Sequence, residues 1–369
     1  MMDTMEQIES SLIKTQSELK ELIDQDAYLR ENCPDVVLIM SSNSIDDFYR
    51  RDGRTELVRM AVDSLRPEIG AFVEKFDGEV RNVLENYFAR PVESNYFGSM
   101  VVLGEILAVW GRLFGGLHEN DLFDQIRFAS LVGGAYYKIV DQITDPKEVA
   151  IEAREDLYVG EILFLEFIRR LQVIDPDRSL SALIQASSSY VEINLMEKES
   201  RRTGTPMDLK GYEQTGRKLS PLLALLGSIL HRSRRDDLFE RYSEVIMLAA
   251  AATQTIDDLH DLAEDLGENG IVSPAARMVI ESLGIDSRAE FTDEVLEKVE
   301  LESMVGPTAF VALKRAKDYL RDAVQRVDVG DPTMRFIMLL RLWSLSRHLH
   351  RRQDILREAY SAMQEGGQA

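Results

Sequence analysis

Apolar residues recur at helical spacing along almost the whole chain, and only ten prolines interrupt them. A period of 3.6 with few alternating β-branched runs leaves an all-α fold as the solution for most of the length. From Met5 to Gln25 the positions Ile8, Leu12, Leu19, Leu22 and Ile23 share one face, which predicts an amphipathic helix packing on the main body or on a second subunit. Asn32 to Ser44 breaks the pattern with Pro34 and a serine-rich end, and reads as a connector with a short apolar run at Val36–Met40. Beyond it the periodicity predicts helices over Ile45–Ser64, Pro67–Arg90, an apolar segment capped by Ser94 or Asn95 and ending near Gly115, and Asn120–Asp145. Pro146 stops the last of these, since the residue before proline is pushed out of the α region. Further helices are expected over Lys147–Val173, Arg178–Arg202, Leu209–Leu219, Pro221–Arg235, Leu238–Leu266, Pro307–Val327 and Pro332–Gln364, with shorter segments after Gly267 and Gly270. Without an internal repeat or a long linker, the economical organisation is an N-terminal helix and connector over 1–45 and one helical domain over 46–369.

Composition narrows the partners. Acidic residues number 64 against 43 Lys and Arg, a formal net charge of −21. That balance argues against nucleic acid, whose binding needs a basic surface, and against docking on an anionic membrane. A hydrophobic fraction of 45% with 29% charged residues is that of a globular protein. Cys33 is the only cysteine, which fits a reducing compartment. No signal pattern opens the chain, and the most apolar stretch, Tyr96 to Leu117, carries Glu105 and Arg112, so a buried helix is expected there and no membrane anchor. The expectation is a cytoplasmic protein.

Two aspartate clusters follow apolar runs on different predicted helices. Asp141-Gln-Ile-Thr-Asp145 comes after Leu131–Val140, and spacing i,i+4 stacks its two carboxylates about 6 Å apart along the helix axis. Asp257-Asp258-Leu-His-Asp261-Leu-Ala-Glu-Asp265 comes after Leu248–Ile256, with Asp257, Asp261 and Asp265 in one row and Asp258 beside it. Stacked carboxylates near a negative helix C-terminus repel one another, and a hard divalent cation answers that repulsion. Either cluster alone is as well read as a solvated acidic face, the reading given to Asp46-Asp47 and Asp236-Asp237; the pair favours Mg²⁺ on a diphosphate. His260, among oxygen ligands, fits packing or capping better than ligation. Arg217 and Lys218, at a chain break before Ser220-Pro221, can meet the remaining phosphate oxygens, whereas Lys198, Arg201 and Arg202 fit a solvated face.

With these residues the chain resembles the class I isoprenoid (terpene) synthase superfamily, and the trans-prenyl diphosphate synthases in particular, over roughly Arg66 to Arg352. The family order of an Asp-rich motif, a Lys-Thr helix break and a Gln-x-x-Asp-Asp-x-x-Asp motif is matched by Asp141–Asp145, Lys218–Ser220 and Gln254-Thr-Ile-Asp257-Asp258-Leu-His-Asp261. Gly160-Glu161-Ile-Leu is similar to the family's Gly-Asp-x-Leu-Leu helix, with Glu for Asp. The resemblance implies a bundle of about ten to thirteen helices around a central cavity, usually a homodimer. It also implies a Mg²⁺ cluster of about three ions on Asp141, Asp145, Asp257, Asp258, Asp261 and Asp265, and diphosphate contacts from Arg217, Lys218 and Gln254.

The departures bear on the reaction. Gln142 stands where chain-elongating enzymes carry a second Asp, and Pro146–Arg154 replaces their Arg-Arg-Gly segment. Their Gly-Gly-Lys-x-x-Arg grip on isopentenyl diphosphate has no counterpart before Asp141, Arg90-Pro-Val-Glu being the nearest segment. From Asp141 to Gly160 there are 160 − 141 = 19 positions, short for the family. An allylic diphosphate site without a second diphosphate site implies a terpene synthase, a cyclase-type lyase that ionises one prenyl diphosphate, with Asp141, Asp145, Asp257 and Asp261 central to catalysis. Tyr136, Tyr137, Phe97 and Trp110 are candidate aromatic faces for the cation, although an aromatic on an apolar helix is more often core. A prenyl diphosphate synthase with an altered isopentenyl site and a non-catalytic partner subunit of a synthase remain the alternatives.

Overall fold

The computed structural model describes residues 4–32, 53–91, 98–144, 151–203, 214–263, 266, 273–285 and 292–366. These form fifteen α-helices and two short 3-10 turns, with no strand among the described residues. In chain order the helices are α1 (Met5–Gln25), α2 (Ala27–Asn32), α3 (Gly53–Ser64), α4 (Arg66–Val73), α5 (Gly78–Ala89), α6 (Gly98–Leu113), α7 (Asn120–Thr144), α8 (Ile151–Ile174), α9 (Ser179–Thr203), α10 (Ser220–Arg232), α11 (Phe239–His260), α12 (Pro274–Ser282), α13 (Asp293–Val305), α14 (Pro307–Arg326) and α15 (Pro332–Gly366). Gln214–Leu219 and Asp236–Leu238 are the 3-10 turns. Among the described residues no helix is long and apolar enough to cross a membrane.

One large core joins α1 to α11 and α14 to α15. Helix α7 packs along both α6 and α8, α11 lies on α14, and α9 lies on α10. The N-terminal helix packs on α15 and buries Ile8, Leu12, Leu19 and Ile23 completely or nearly so. Each such side chain contributes about 1.5–3 kcal/mol, an upper figure because unfolded chains already bury some apolar surface. Thr4 closes the start of α1 as a capping box with Gln7. At its other end Asp26 accepts from Arg112 Nε at 2.6 Å, and that guanidinium lies 4.5 Å over the Tyr28 ring. Burial opposes ionisation of Asp26, but Arg112 and backbone N–H groups together hold its carboxyl below the ordinary range.

Both charged residues of the apolar stretch are accounted for in this packing. Glu105 on α6 is 2% exposed and accepts from Arg127 Nε of α7 at 2.5 Å, and Arg127 also donates to Ser64. A second, smaller core of Leu262, Leu266, Ala276, Val279, Ile280 and Val299 lies beyond the end of α11.

The single helix expected over Pro67–Arg90 is two helices. Asp77 is extended, at φ −119° and ψ 162°, and Gly78 takes φ +59°, a conformation that costs a side-chain-bearing residue about 1–2 kcal/mol. The corner places Phe76, Phe88 and Phe128 edge-on around Phe72 at 5.4, 6.4 and 5.8 Å, packing that a straight helix would forgo. Likewise the described part of the segment expected as a helix over Leu209–Leu219 is the 3-10 turn Gln214–Leu219.

Candidate functional site

Asp141 is exposed near the end of α7, below which lies an aromatic cluster. Tyr137, one turn earlier on the same face, is buried edge-on to Tyr136 at 4.9 Å and to Tyr190 of α9 at 5.0 Å. Tyr136 in turn stacks on Phe164 of α8 at 4.5 Å. Burial, and after it the negative charge of Asp141, pushes the Tyr190 hydroxyl up to about 12. Burial raises Tyr136 and Tyr137 as well, so these phenols stay neutral. Of the other aromatic candidates, Trp110 is a core residue 1% exposed and edge-on to Tyr242 at 6.1 Å, and Phe97 lies outside the described residues.

The charge of Glu197, two turns along α9, also acts on Tyr190, and Glu197 accepts from Lys218 Nζ at 2.7 Å. Lys218 and Arg217 sit on the 3-10 turn, which packs against both α9 and α11. Gly216 makes that packing possible: a Cβ at this position would lie 2.5 Å from the Met247 carbonyl oxygen of α11. The two neighbouring cations then diverge. Lys218 reaches the α9 face that carries Tyr190 and Glu197, whereas Arg217 lines a cleft of about 650 Å³ with Gln185, Ser189, Ser220 and Met247. The proposed solvated character of Arg202 is seen in its exposed pairing with Glu199 at 2.5 Å.

The second acidic cluster lies at the end of α11. Gln254 Nε2 donates to Asp258 Oδ1 at 2.7 Å, so these two motif positions are held as a unit one turn apart. Asp257 and Asp261 are exposed. The helix runs to His260, and Asp261 caps it at φ −94° and ψ 5°, its N–H donating to the Asp257 carbonyl at 2.9 Å. The chain therefore bends at Asp261, where one unbroken helix was expected to Leu266; Leu262 and Leu266 turn into the second core. Asp145 and Asp265 lie outside the described residues.

Periodicity did not single out the basic stretch of α15 that approaches this end. Arg341 Nη2 donates to Thr253 Oγ1 at 2.7 Å, and Arg352 donates to the Ser303 carbonyl at 3.4 Å. Burial, then Arg352, His260 and Arg351, hold the His348 imidazole below its ordinary range, so it is predominantly neutral at pH 7. The density of basic residues from Arg341 to Arg352 was the available signal, but nothing local said which helix they would face.

A different group of ligand-type residues lies at the corner between α8 and α9. Single donor atoms of Asp175, Asp177 and His231 fall within 4.8 Å of one another, and the group could hold a metal ion. No sequence pattern announces it, because His231 comes from the last turn of α10, far along the chain.

No protein-family model matches the chain, and neither a curated protein nor a solved structure was found to match it.

Proposed function

We propose that this chain is a Mg²⁺-dependent class I terpene synthase, an enzyme that ionises one allylic prenyl diphosphate and lets the carbocation cyclise, lose a proton or capture water. The observation that carries the reading is the packing of α7 on α9 through Tyr137 and Tyr190, one turn before Asp141, and the Lys218–Glu197 pair that ties the 3-10 turn to the same helix α9, with that turn seated on the helix that leads to Asp257, Asp258 and Asp261. The described donors are carboxylates near helix ends, Asp141, Asp257 and Asp261 exposed and Asp258 half-buried, which suits a hard ion that keeps its waters. Asp141, Asp257, Asp258 and Asp261 would hold Mg²⁺, with Asp145 and Asp265 as the remaining ligands. Bound there, Mg²⁺ supplies Lewis-acid stabilisation of the leaving diphosphate.

The chain's own groups do the rest. Gln254 orients the Asp258 carboxylate by donating from its amide to Oδ1. Lys218 turns from Glu197 toward the phosphate oxygens as charge develops, and Arg217 on the neighbouring cleft adds to the potential. The allylic C–O bond breaks with its electron pair going to the diphosphate. Tyr136, Tyr137 and Tyr190, neutral and largely shielded from water, offer ring faces to the cation without a nucleophilic phenolate.

The test is incubation with geranyl, farnesyl and geranylgeranyl diphosphates separately, with and without Mg²⁺ and isopentenyl diphosphate, read by mass spectrometry. A Mg²⁺-dependent hydrocarbon or alcohol from one diphosphate alone is expected. Longer diphosphates formed only with isopentenyl diphosphate would assign the chain to the elongating synthases, and absence of turnover would favour the partner-subunit reading.

The homodimer belongs to the same proposal. Leu165 on α8 and Leu180, Ile184, Val191 and Leu195 on α9 are each about half exposed or more, beside an apolar groove between the two helices. Monomers rarely leave an apolar patch above about 300–600 Å² uncovered, and a second copy covering about 800 Å² per partner would bury this one. Ile184→Asp is expected to move the mass in light scattering from twice the chain mass to one; a monomeric parent protein would refute this.

A further inference from the structure

Among the described residues, Asp175 is the least exposed carboxylate that has no cationic partner within hydrogen-bond range. It follows the last residue of α8 and is 2% exposed. Its Oδ1 accepts the N–H groups of Asp177 at 3.2 Å and Arg178 at 3.3 Å, holding the turn into α9. Oδ2 is shielded from solvent, and none of the described residues donates to it. A solvent-shielded carboxylate oxygen to which no described residue donates is a position that calls for a partner.

The second observation is the orientation of His231. Its Nδ1 meets Asp236 at 3.2 Å, and that contact turns Nε2 toward Asp175 Oδ1, 4.0 Å away. This separation is past a hydrogen bond. It is within reach of two ligands on one ion, since ligands about 2.1 Å from a metal stand about 3.4 Å apart on a tetrahedral edge and about 4.2 Å apart across an octahedron. A carboxylate on the distal ring nitrogen is also the usual support of a metal-ligating histidine, fixing its tautomer and direction. Asp177 completes the set, with donor atoms of all three residues within 4.8 Å.

We infer that Asp175, Asp177 and His231 form a site for a first-row divalent transition ion, Zn²⁺ being the representative, with Asp236 as the carboxylate that orients His231. The imidazole separates this site from the acidic helix ends: nitrogen with two carboxylates suits Zn²⁺ and its neighbours, whereas Mg²⁺ takes oxygen and gives up water reluctantly. The ion clasps the α8–α9 corner to the last turn of α10, where Arg178 pairs with Asp236 at 3.5 Å and His231 approaches both Asp175 and Asp236. Of the two Asp175 oxygens, Oδ2 is the one to which none of the described residues donates. The role is structural and does not require the diphosphate chemistry proposed above, although His231 and Asp236 line the same cleft as Arg217.

The test uses the full chain, stripped with a chelator and titrated calorimetrically with Zn²⁺ in excess Mg²⁺. One equivalent of Zn²⁺ per chain is expected, with a rise in the unfolding temperature. Asp177→Asn, at an exposed position, and His231→Gln should each weaken Zn²⁺ at least 100-fold, and Asp236→Asn by about 10–100-fold. Asp141→Asn and Asp257→Asn should leave Zn²⁺ binding unchanged, whatever they do to turnover. No Zn²⁺ binding, displacement of Zn²⁺ by millimolar Mg²⁺, or Zn²⁺ binding indifferent to both Asp177→Asn and His231→Gln would each overturn the site.

Discussion

Gly216→Ala is the substitution that most directly couples packing to the candidate site. The added methyl would stand 2.5 Å from the Met247 carbonyl oxygen and 3.1 Å from its carbonyl carbon and Cα, all backbone atoms of a helix that cannot turn aside. Ordinary contact requires about 3.4 Å, so the 3-10 turn must retreat from α11 by something under 1 Å, and over-packing of this kind costs about 1–3 kcal/mol. With an unfolding entropy of about 2.1 cal/mol/K per residue, 369 residues turn that cost into a fall in melting temperature of about 1–4 °C. The same retreat carries Arg217 and Lys218 with it, and a displacement near 1 Å at a positioned group costs on the order of 100-fold in rate. Gly160→Ala is the control. A Cβ there meets Ile139 and Tyr136 at 3.4–3.7 Å, ordinary contact, and the mid-helix position should gain about 0.5–1 kcal/mol. Differential scanning calorimetry and kcat on the accepted diphosphate read both variants. Equal melting temperatures for the two, or full activity in Gly216→Ala, would refute the seating of this turn on α11.

Two further outcomes concern buried charge. Arg127→Met leaves Glu105 without its guanidinium partner at 2% exposure, which should cost about 3–5 kcal/mol in denaturant unfolding, and adding Glu105→Leu should recover most of it; a double variant as unstable as the single would contradict the pairing. Burial disfavours the charged form of Glu166, but Arg169 and Arg170 outweigh it and hold the carboxyl below its ordinary 4.5. Its stabilisation is therefore complete above that value and lost as pH falls through the lower folded pKa. Glu166→Gln should be less stable than the parent at pH 7, with the two converging in acid; a gap that persists to the lowest pH would show the loss to be one of packing.

What the periodicity could and could not reveal follows from the range of each interaction. Helix α1 begins and ends where the apolar stripe and its flanks place it, because a capping box and a one-faced pattern are local. The pairings of Glu105 and Arg112 were legible only as an objection to a membrane span; their partners, Arg127 and Asp26, are set by which helices lie side by side. The corner at Phe76–Gly78 escaped because Phe76 of the turn and three phenylalanines from three helices pack together, outweighing the helical preference of the segment. In the site, Gln254 and Asp258 are neighbours by spacing alone, as a motif one turn apart must be. That Lys218 faces Glu197 while Arg217 turns to another cleft depends on the tight turn at Gly216, and the Asp175–His231 approach depends on two corners meeting. Neither leaves a periodic trace.

The central claim is tested most directly by Mg²⁺-dependent release of inorganic diphosphate from geranyl, farnesyl or geranylgeranyl diphosphate, measured on the parent protein, Asp141→Asn and Asp257→Asn. Release that requires Mg²⁺ and falls by about 100-fold or more in each variant, with the helical circular dichroism unchanged, is the predicted result. Release that proceeds without Mg²⁺, or survives both substitutions, would contradict it.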